Sequence, residues 1–278
     1  MLGITASRRA KTREIRGDLG QARARIGCLF RVDREFRLSD KRTSMKHLIR
    51  AFQFLTLARR FAGASLAPAD IGAAALYFPL VGLSLGLVLM AINSVLEPHL
   101  ESEILAAVHV TILIFLTGAI HLEELQKTFD GTSAAQDSAP TSSIRVPGLL
   151  AVMLAVFFKI RSLEVIGEGR PLTLLVVPVL ARWLVVLFLY ASMASAEPVG
   201  RIGERIKAWH LLLTSVMALA IAAYGLRLPG LWLGFSVSLL TLLSRTLLQR
   251  CRDGLRRDHL GAVIELGEAL SFVLIASF

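Results

Sequence analysis

ILAAVHVTILIFLTGAIHLEELQKTFDG, residues 104–131, decides how this chain is read. The stretch Ile104–Ile120 is almost wholly apolar, and a dense polar run, HLEELQKTFDG from His121 to Gly131, follows it without a break. Carboxylates at the end of a membrane-spanning helix are costly to place there, so they usually serve ion or substrate chemistry. Glu123, Lys127 and Asp130 follow the spacing i, i+4, i+7, which predicts one shared helix face.

Composition agrees with a membrane reading. Of 278 residues 54% are hydrophobic, and mean hydropathy is +0.62. Soluble domains are less apolar than that. Only 7% are aromatic and no strand-like alternation appears, so helices are expected rather than a β-barrel. The sequence predicts an all-α, polytopic integral membrane protein of about seven transmembrane helices. The expected spans are 71–96, 103–121, 147–168, 171–193, 209–225, 229–249 and 261–278. Gly82 and Gly86 form a small-xxx-small pair that favours close helix approach. Ahead of the spans, KHLIRAFQFLTLARRF (residues 46–61) reads as an amphipathic helix lying on the membrane surface, with a short core helix as its bland alternative.

The net charge of +10 sits mostly at the N-terminus. Residues 1–44 carry 12 Lys/Arg against 5 Asp/Glu, a net of +7. They are expected to be a basic, disordered extension or a lipid-contacting arm, and residues 45–278 the membrane domain. No basic face on a folded module argues for nucleic acid. Cys28 and Cys251 lack the spacing of a disulfide framework or a zinc site. Lys/Arg placement puts the N-terminus and the second, fourth and sixth loops in the cytoplasm, with Arg161 and Arg170 of the third loop as an exception. The polar run at 121–131 and the last polar loop, 250–260, are therefore expected on one side.

Three constellations carry the candidate chemistry. In the first, Glu123 and Asp130 share a helix face, with His121 and Glu124 beside them. Two such carboxylates suit Mg²⁺, and such a metal would bridge phosphate oxygens. The bland alternative is a solvated helix end in which Lys127 pairs with both acids. In the second, Asp258, Gly261 and Glu265 recur at i, i+3, i+7. Glu265 lies within an apolar helix and needs a partner, which Arg256 or Arg257 would supply. In the third, Lys159 and Arg182 stand in apolar spans, either snorkelling or clamping phosphate. The remaining histidines show no metal spacing, and no GxSxG elbow supports a Ser–His–Asp triad.

From about Met45 to its end the chain resembles the cobalamin synthase family, the adenosylcobinamide-GDP ribazoletransferases. The resemblance rests on FQFLT (Phe52–Thr56), FPLVGLSLG (Phe78–Gly86), GAIHLEELQKTFDG (Gly118–Gly131), the helix bearing Lys159, PVLARW (Pro178–Trp183) and RDHLGAVIELGEAL (Arg257–Leu270). It implies a bacterial inner-membrane enzyme with a cytoplasmic active face. That enzyme moves adenosylcobinamide phosphate from adenosylcobinamide-GDP to α-ribazole or its 5′-phosphate, releases GMP and depends on Mg²⁺. On that resemblance Glu123 and Asp130 would ligate the metal, Glu124 and Asp258 would support it, and Arg182 or Lys159 would clamp phosphate, with His121 and Glu265 nearby. The chain departs from the family at Glu123, where the family has Asp, at Lys127, where it has an acid, and at Thr141–Arg145, where its acid is missing. A catalytically impaired member that binds a corrinoid or a partner protein is the alternative, and a transporter a further one. The sequence leaves a homo-oligomer open.

Overall fold

A computed structural model of the chain describes residues 43–61, 67–131, 145–193, 198–250 and 254–277. The basic extension before residue 43, both cysteines and most of Thr141–Arg145 lie outside the described residues. Within the first 46 residues only 43–46 are described, and they are helical. From residue 47 onward the described residues form helices only: α1 (47–55), α2 (Ala58–Phe61), α3 (Pro68–Ala74), α4 (Phe78–Leu96), α5 (Ser102–Thr117), α6 (Ile120–Asp130), α7 (Val146–Val165), α8 (Arg170–Ala191), α9 (Pro198–Gly203), α10 (Ala208–Gln249) and α11 (Asp258–Ala276).

The centre is α8. Its sequence, RPLTLLVVPVLARWLVVLFLYA, is apolar on every side. A helix of that kind belongs in an interior, and 83% of its apolar window is buried. Against it lies α4. A Cβ on Gly82 would strike the Pro178 carbonyl of α8, and one on Gly86 would come within 2.7 Å of the Leu175 oxygen. The small-residue pair thus lets two backbones touch, as its spacing predicted. At the rim, only 17% of the most apolar eighteen-residue stretch of α10 is buried, and 28% of that of α7. Their outward leucines, valines and phenylalanines, such as Leu212, Val216, Leu243 and Phe157, are exposed. An apolar rim around an apolar core is the arrangement of a protein solvated by lipid, and this is a membrane protein.

Among the described residues five helices are long and apolar enough to cross a membrane, or up to six if bent α5 and α6 form one span. Seven were expected, and the difference lies at two places. The first is α10, whose path breaks at Arg227 (φ 56°, ψ −137°) just before Pro229. A Cβ on Gly230 would strike the Ala222 carbonyl, and one on Gly234 would lie 2.5 Å from Leu219. In a straight helix Leu219 and Gly234 would be about 22 Å apart, so the two arms fold back on each other. Those arms hold the expected 209–225 and 229–249. The second is the expected 103–121, which turns by 87° after Thr117.

The expected amphipathic helix 46–61 packs one face into the core and is broken near its end. Ala51, Phe54 and Leu55 are buried, and Phe54 stacks on Phe78 with centroids 5.6 Å apart. The Thr56 hydroxyl donates to the Phe52 carbonyl at 2.7 Å and accepts the Ala58 amide at 3.3 Å, which separates α1 from α2. One of the two exceptions among the loop cations has a structural use. Arg170 is buried, and its Nε donates to the Leu163 carbonyl at 3.0 Å, closing the end of α7.

Candidate functional site

Two left-handed residues build the site. Gly118 (φ 68°) ends α5, and Ala119 (φ 58°) follows it. Glycine takes that conformation freely, whereas alanine adopts it at a cost of about 1–2 kcal/mol. The pair turns the chain by 87°, so α6 leaves the direction of α5. With four charged residues in eleven, α6 is not among the helices long and apolar enough to cross a membrane by themselves.

The turn also receives α1 and α2. The Leu57 amide donates to the Leu116 carbonyl at 2.9 Å, and a Cβ on Gly118 would lie 2.8 Å from the Leu57 side chain. This docking brings Arg59 and Arg60 against α6. Arg59 Nη1 donates to Glu124 Oε1 at 2.7 Å. His121 Nδ1 lies 3.4 Å from Glu124 Oε2, and its Nε2 lies 3.3 Å from the Leu55 carbonyl. Burial favours the neutral acid at Glu124, but the hydrogen bond and charge of His121 and the Arg59 guanidinium outweigh it and hold the carboxyl below its usual value.

The start of α11 closes the third wall. Gly261 faces Glu124 so closely that a Cβ there would overlap the carboxylate. Arg256 Nη2 donates to Asp258 Oδ2 at 2.7 Å, and the Arg256 amide donates to His259 Nδ1 at 3.0 Å. The guanidiniums of Arg59 and Arg257 both lie over the Phe54 ring, at 5.8 and 5.6 Å. Burial and then the neighbouring Arg59 charge depress the Arg257 pKa, with Glu124 and Asp258 opposing.

A cleft of about 550 Å³ opens between these walls, lined by Arg59, Arg60, Glu123, Glu124, Lys127 and Asp258. The expected meeting of the 121–131 run with the last polar loop is therefore observed. A second chamber of about 690 Å³ lies beyond α6, lined by apolar side chains such as Phe129, Phe158 and Leu266. Among the described residues its walls carry no Lys, Arg, Asp or Glu.

Other expected residues go elsewhere. Asp130 is not on the cleft wall; its Oδ1 accepts the Gly148 amide at 2.8 Å, in the first turn of α7. A carboxylate is favoured at a helix N-terminus, where amides lack partners. Glu123 pairs with Lys127 at 2.9 Å. Lys159, Arg182 and Glu265, expected as phosphate or substrate contacts, are also absent from the cleft wall. They form a buried quartet with Glu268: Lys159 bridges Glu265 and Glu268, the latter at 2.6 Å, and Arg182 pairs with Glu268. Glu265 thus finds Lys159, not Arg256 or Arg257. Inside an apolar bundle each charge needs an opposite one, and two cations with two carboxylates satisfy that.

The Mg²⁺ expectation does not fit this geometry. Among the described residues no three His, Cys, Asp or Glu side chains group as metal ligands. Glu123 and Asp258 on the cleft wall each already face a cation, and Asp130 is spent on α7. Sequence reasoning missed Arg59 and Arg60, assigned to a surface helix, and Glu268. The spacing of Glu265 and Glu268, i and i+3 on a helix with two cations in other spans, was the available signal for the last.

Comparison with known proteins gives a consistent result. The family model described as cobalamin-5-phosphate synthase matches residues 47–276. An adenosylcobinamide-GDP ribazoletransferase of Syntrophobacter fumaroxidans is 35% identical over 242 residues, covering 81% of this chain and 95% of that protein. The protein of the same description from Pseudomonas paraeruginosa is 32% identical over 254 residues, covering 84% and 99%. That from Thermoanaerobacter pseudethanolicus is 27% identical over 249 residues, covering 84% and 98%. No solved structure matches.

Proposed function

This chain belongs to the cobalamin-5-phosphate synthase family, and on that premise we propose that it is an adenosylcobinamide-GDP ribazoletransferase working at the cleft between α2, α6 and α11. A ribose hydroxyl of α-ribazole, or of its 5′-phosphate, attacks the phosphorus attached to cobinamide. The bridging phosphorus–oxygen bond breaks, GMP departs with that oxygen, and the cobinamide phosphate is joined to the ribazole. The hydroxyl proton passes to a carboxylate of the cleft.

The observation that carries the reading is the crowding of Arg59, Arg60 and Lys127 around one open cleft, with Arg257 behind it. Guanidiniums held near one another repel, and a diphosphate between them relieves that repulsion with charge-assisted hydrogen bonds. Arg59, Arg60 and Lys127 hold the diphosphate. Asp258 and Glu123, whose side chains are 26% and 55% exposed, are placed to take the proton. Glu124 and His121 are buried and hold Arg59 in position. The cleft faces the cytoplasm from the bacterial inner membrane, because Arg59, Arg60, Arg256 and Arg257 gather at one end of the bundle. Lipid covers the rims of α7 and α10.

The test uses the full chain in lipid nanodiscs with adenosylcobinamide-GDP and α-ribazole. GMP and the joined corrinoid are expected in equal amounts. Asp258→Asn is expected to slow turnover while donor binding persists. No GMP under any condition, from folded protein, would overturn the reading.

A further inference from the structure

Glu123 and Asp258, the exposed acids of the cleft, each already face a cation. Arg59, Arg60, Lys127, Arg256 and Arg257 stand against Glu123, Glu124 and Asp258. Five cations against three carboxylates leave two positive charges, and the wall itself, without Arg256 and Arg257, is neutral. A diphosphate esterified at both ends carries two negative charges. Arg256 and Arg257 therefore bring the two charges that match this donor from behind the wall.

Lys127 is central to that balance. It lies on the same wall as Arg59 and Arg60, and its side chain is 38% exposed, so the ammonium is within reach of a ligand in the cleft. Glu123, the acid best placed to meet a metal, has its carboxylate 2.9 Å from that ammonium. Asp130, which would complete a ligand pair, is bound to the Gly148 amide instead. We infer that Lys127, with Arg59 and Arg60, supplies the counter-charge of a metal ion, so that this chain binds its nucleotide diphosphate without a divalent cation. The inference rests on the functional reading above, since it presumes a diphosphate in the cleft.

GDP binding to the full chain in nanodiscs, titrated in EDTA and again in Mg²⁺, separates the two. Wild type is expected to bind with the same affinity, within about threefold, in both buffers. Lys127→Ala is expected to weaken binding in EDTA about tenfold, a loss of about 1.4 kcal/mol, with an unchanged melting temperature because the pair is exposed. Lys127→Asp is expected to lose binding in EDTA and regain it in Mg²⁺, with bound Mn²⁺ detected by electron paramagnetic resonance in that variant and not in wild type. GDP binding by wild type only in Mg²⁺, or nucleotide-dependent Mn²⁺ binding by wild type, overturns the inference. So does an absence of GDP binding in both buffers. GMP release from the true donor that requires Mg²⁺ overturns it while leaving the ribazole transfer intact. Absence of GMP beside metal-free GDP binding overturns the transfer and leaves the cation assignment standing.

Discussion

Two regions of this molecule hold cations against carboxylates, and they differ in access to water. In the cleft, Lys127 and Glu123 are 38% and 55% exposed. In the quartet of α7, α8 and α11, no side chain exceeds 4%. The chemistry on offer is nearly the same: an ammonium, a guanidinium and glutamates. The quartet has its charges matched within the protein and no route for a ligand, so it holds helices together. The cleft wall carries three cations and three carboxylates in the open, with Arg256 and Arg257 beside it, so an anion can reach its cations. An intramembrane charge signals importance, and its exposure tells which kind.

The largest expected effect lies in the quartet. Glu268→Ala removes the carboxylate shared by Lys159 and Arg182 and leaves buried charge unmatched, which costs about 3–5 kcal/mol. Thermal unfolding in detergent checks it, and a change as small as that of an exposed pair would erase the distinction between the regions. In the cleft, Arg59→Ala is expected to lower kcat/KM by a factor of about 10–150, equivalent to about 1.5–3 kcal/mol for a hydrogen bond to a charged group. Its melting temperature should fall less than that of Glu268→Ala.

Gly261→Ala sharpens the boundary between them. The added carbon has to displace Glu124, so overpacking of about 1–3 kcal/mol is expected, together with loss of the Arg59 contact. Unfolding and turnover should decline together. Glu124 also gives a pH signature. Its folded carboxyl titrates below the ordinary value of 4.5, so its stabilisation is complete above that value and is lost as pH falls through the folded one. Glu124→Gln should flatten the stability profile on the acid side of 4.5 and leave it parallel to wild type at neutral pH. The smallest effect is expected at Glu123→Gln. The exposed pair with Lys127 contributes under about 1 kcal/mol, so melting should barely move even if turnover changes.

The sequence alone determined that the chain is helical and lies in lipid, because the length and apolarity of its runs are properties of the chain itself. It also determined α6 as a helix, a close helix approach at Gly82 and Gly86, and Glu123, Glu124, Asp130, Asp258 and Glu265 as the acids to follow. Tertiary structure decided their use. Whether Asp130 meets a substrate or the first turn of α7 depends on where Gly148 arrives from eighteen residues away. Lys159 and Arg182 become scaffold only because Glu265 and Glu268 of the last helix reach them. Arg59 and Arg60 become cleft residues only because Gly118 and Ala119 turn the chain and let Leu57 dock on Leu116. Partner choice for a charge is set by whichever opposite charge the fold brings near in a medium of low polarity, and spacing along one helix carries no record of that.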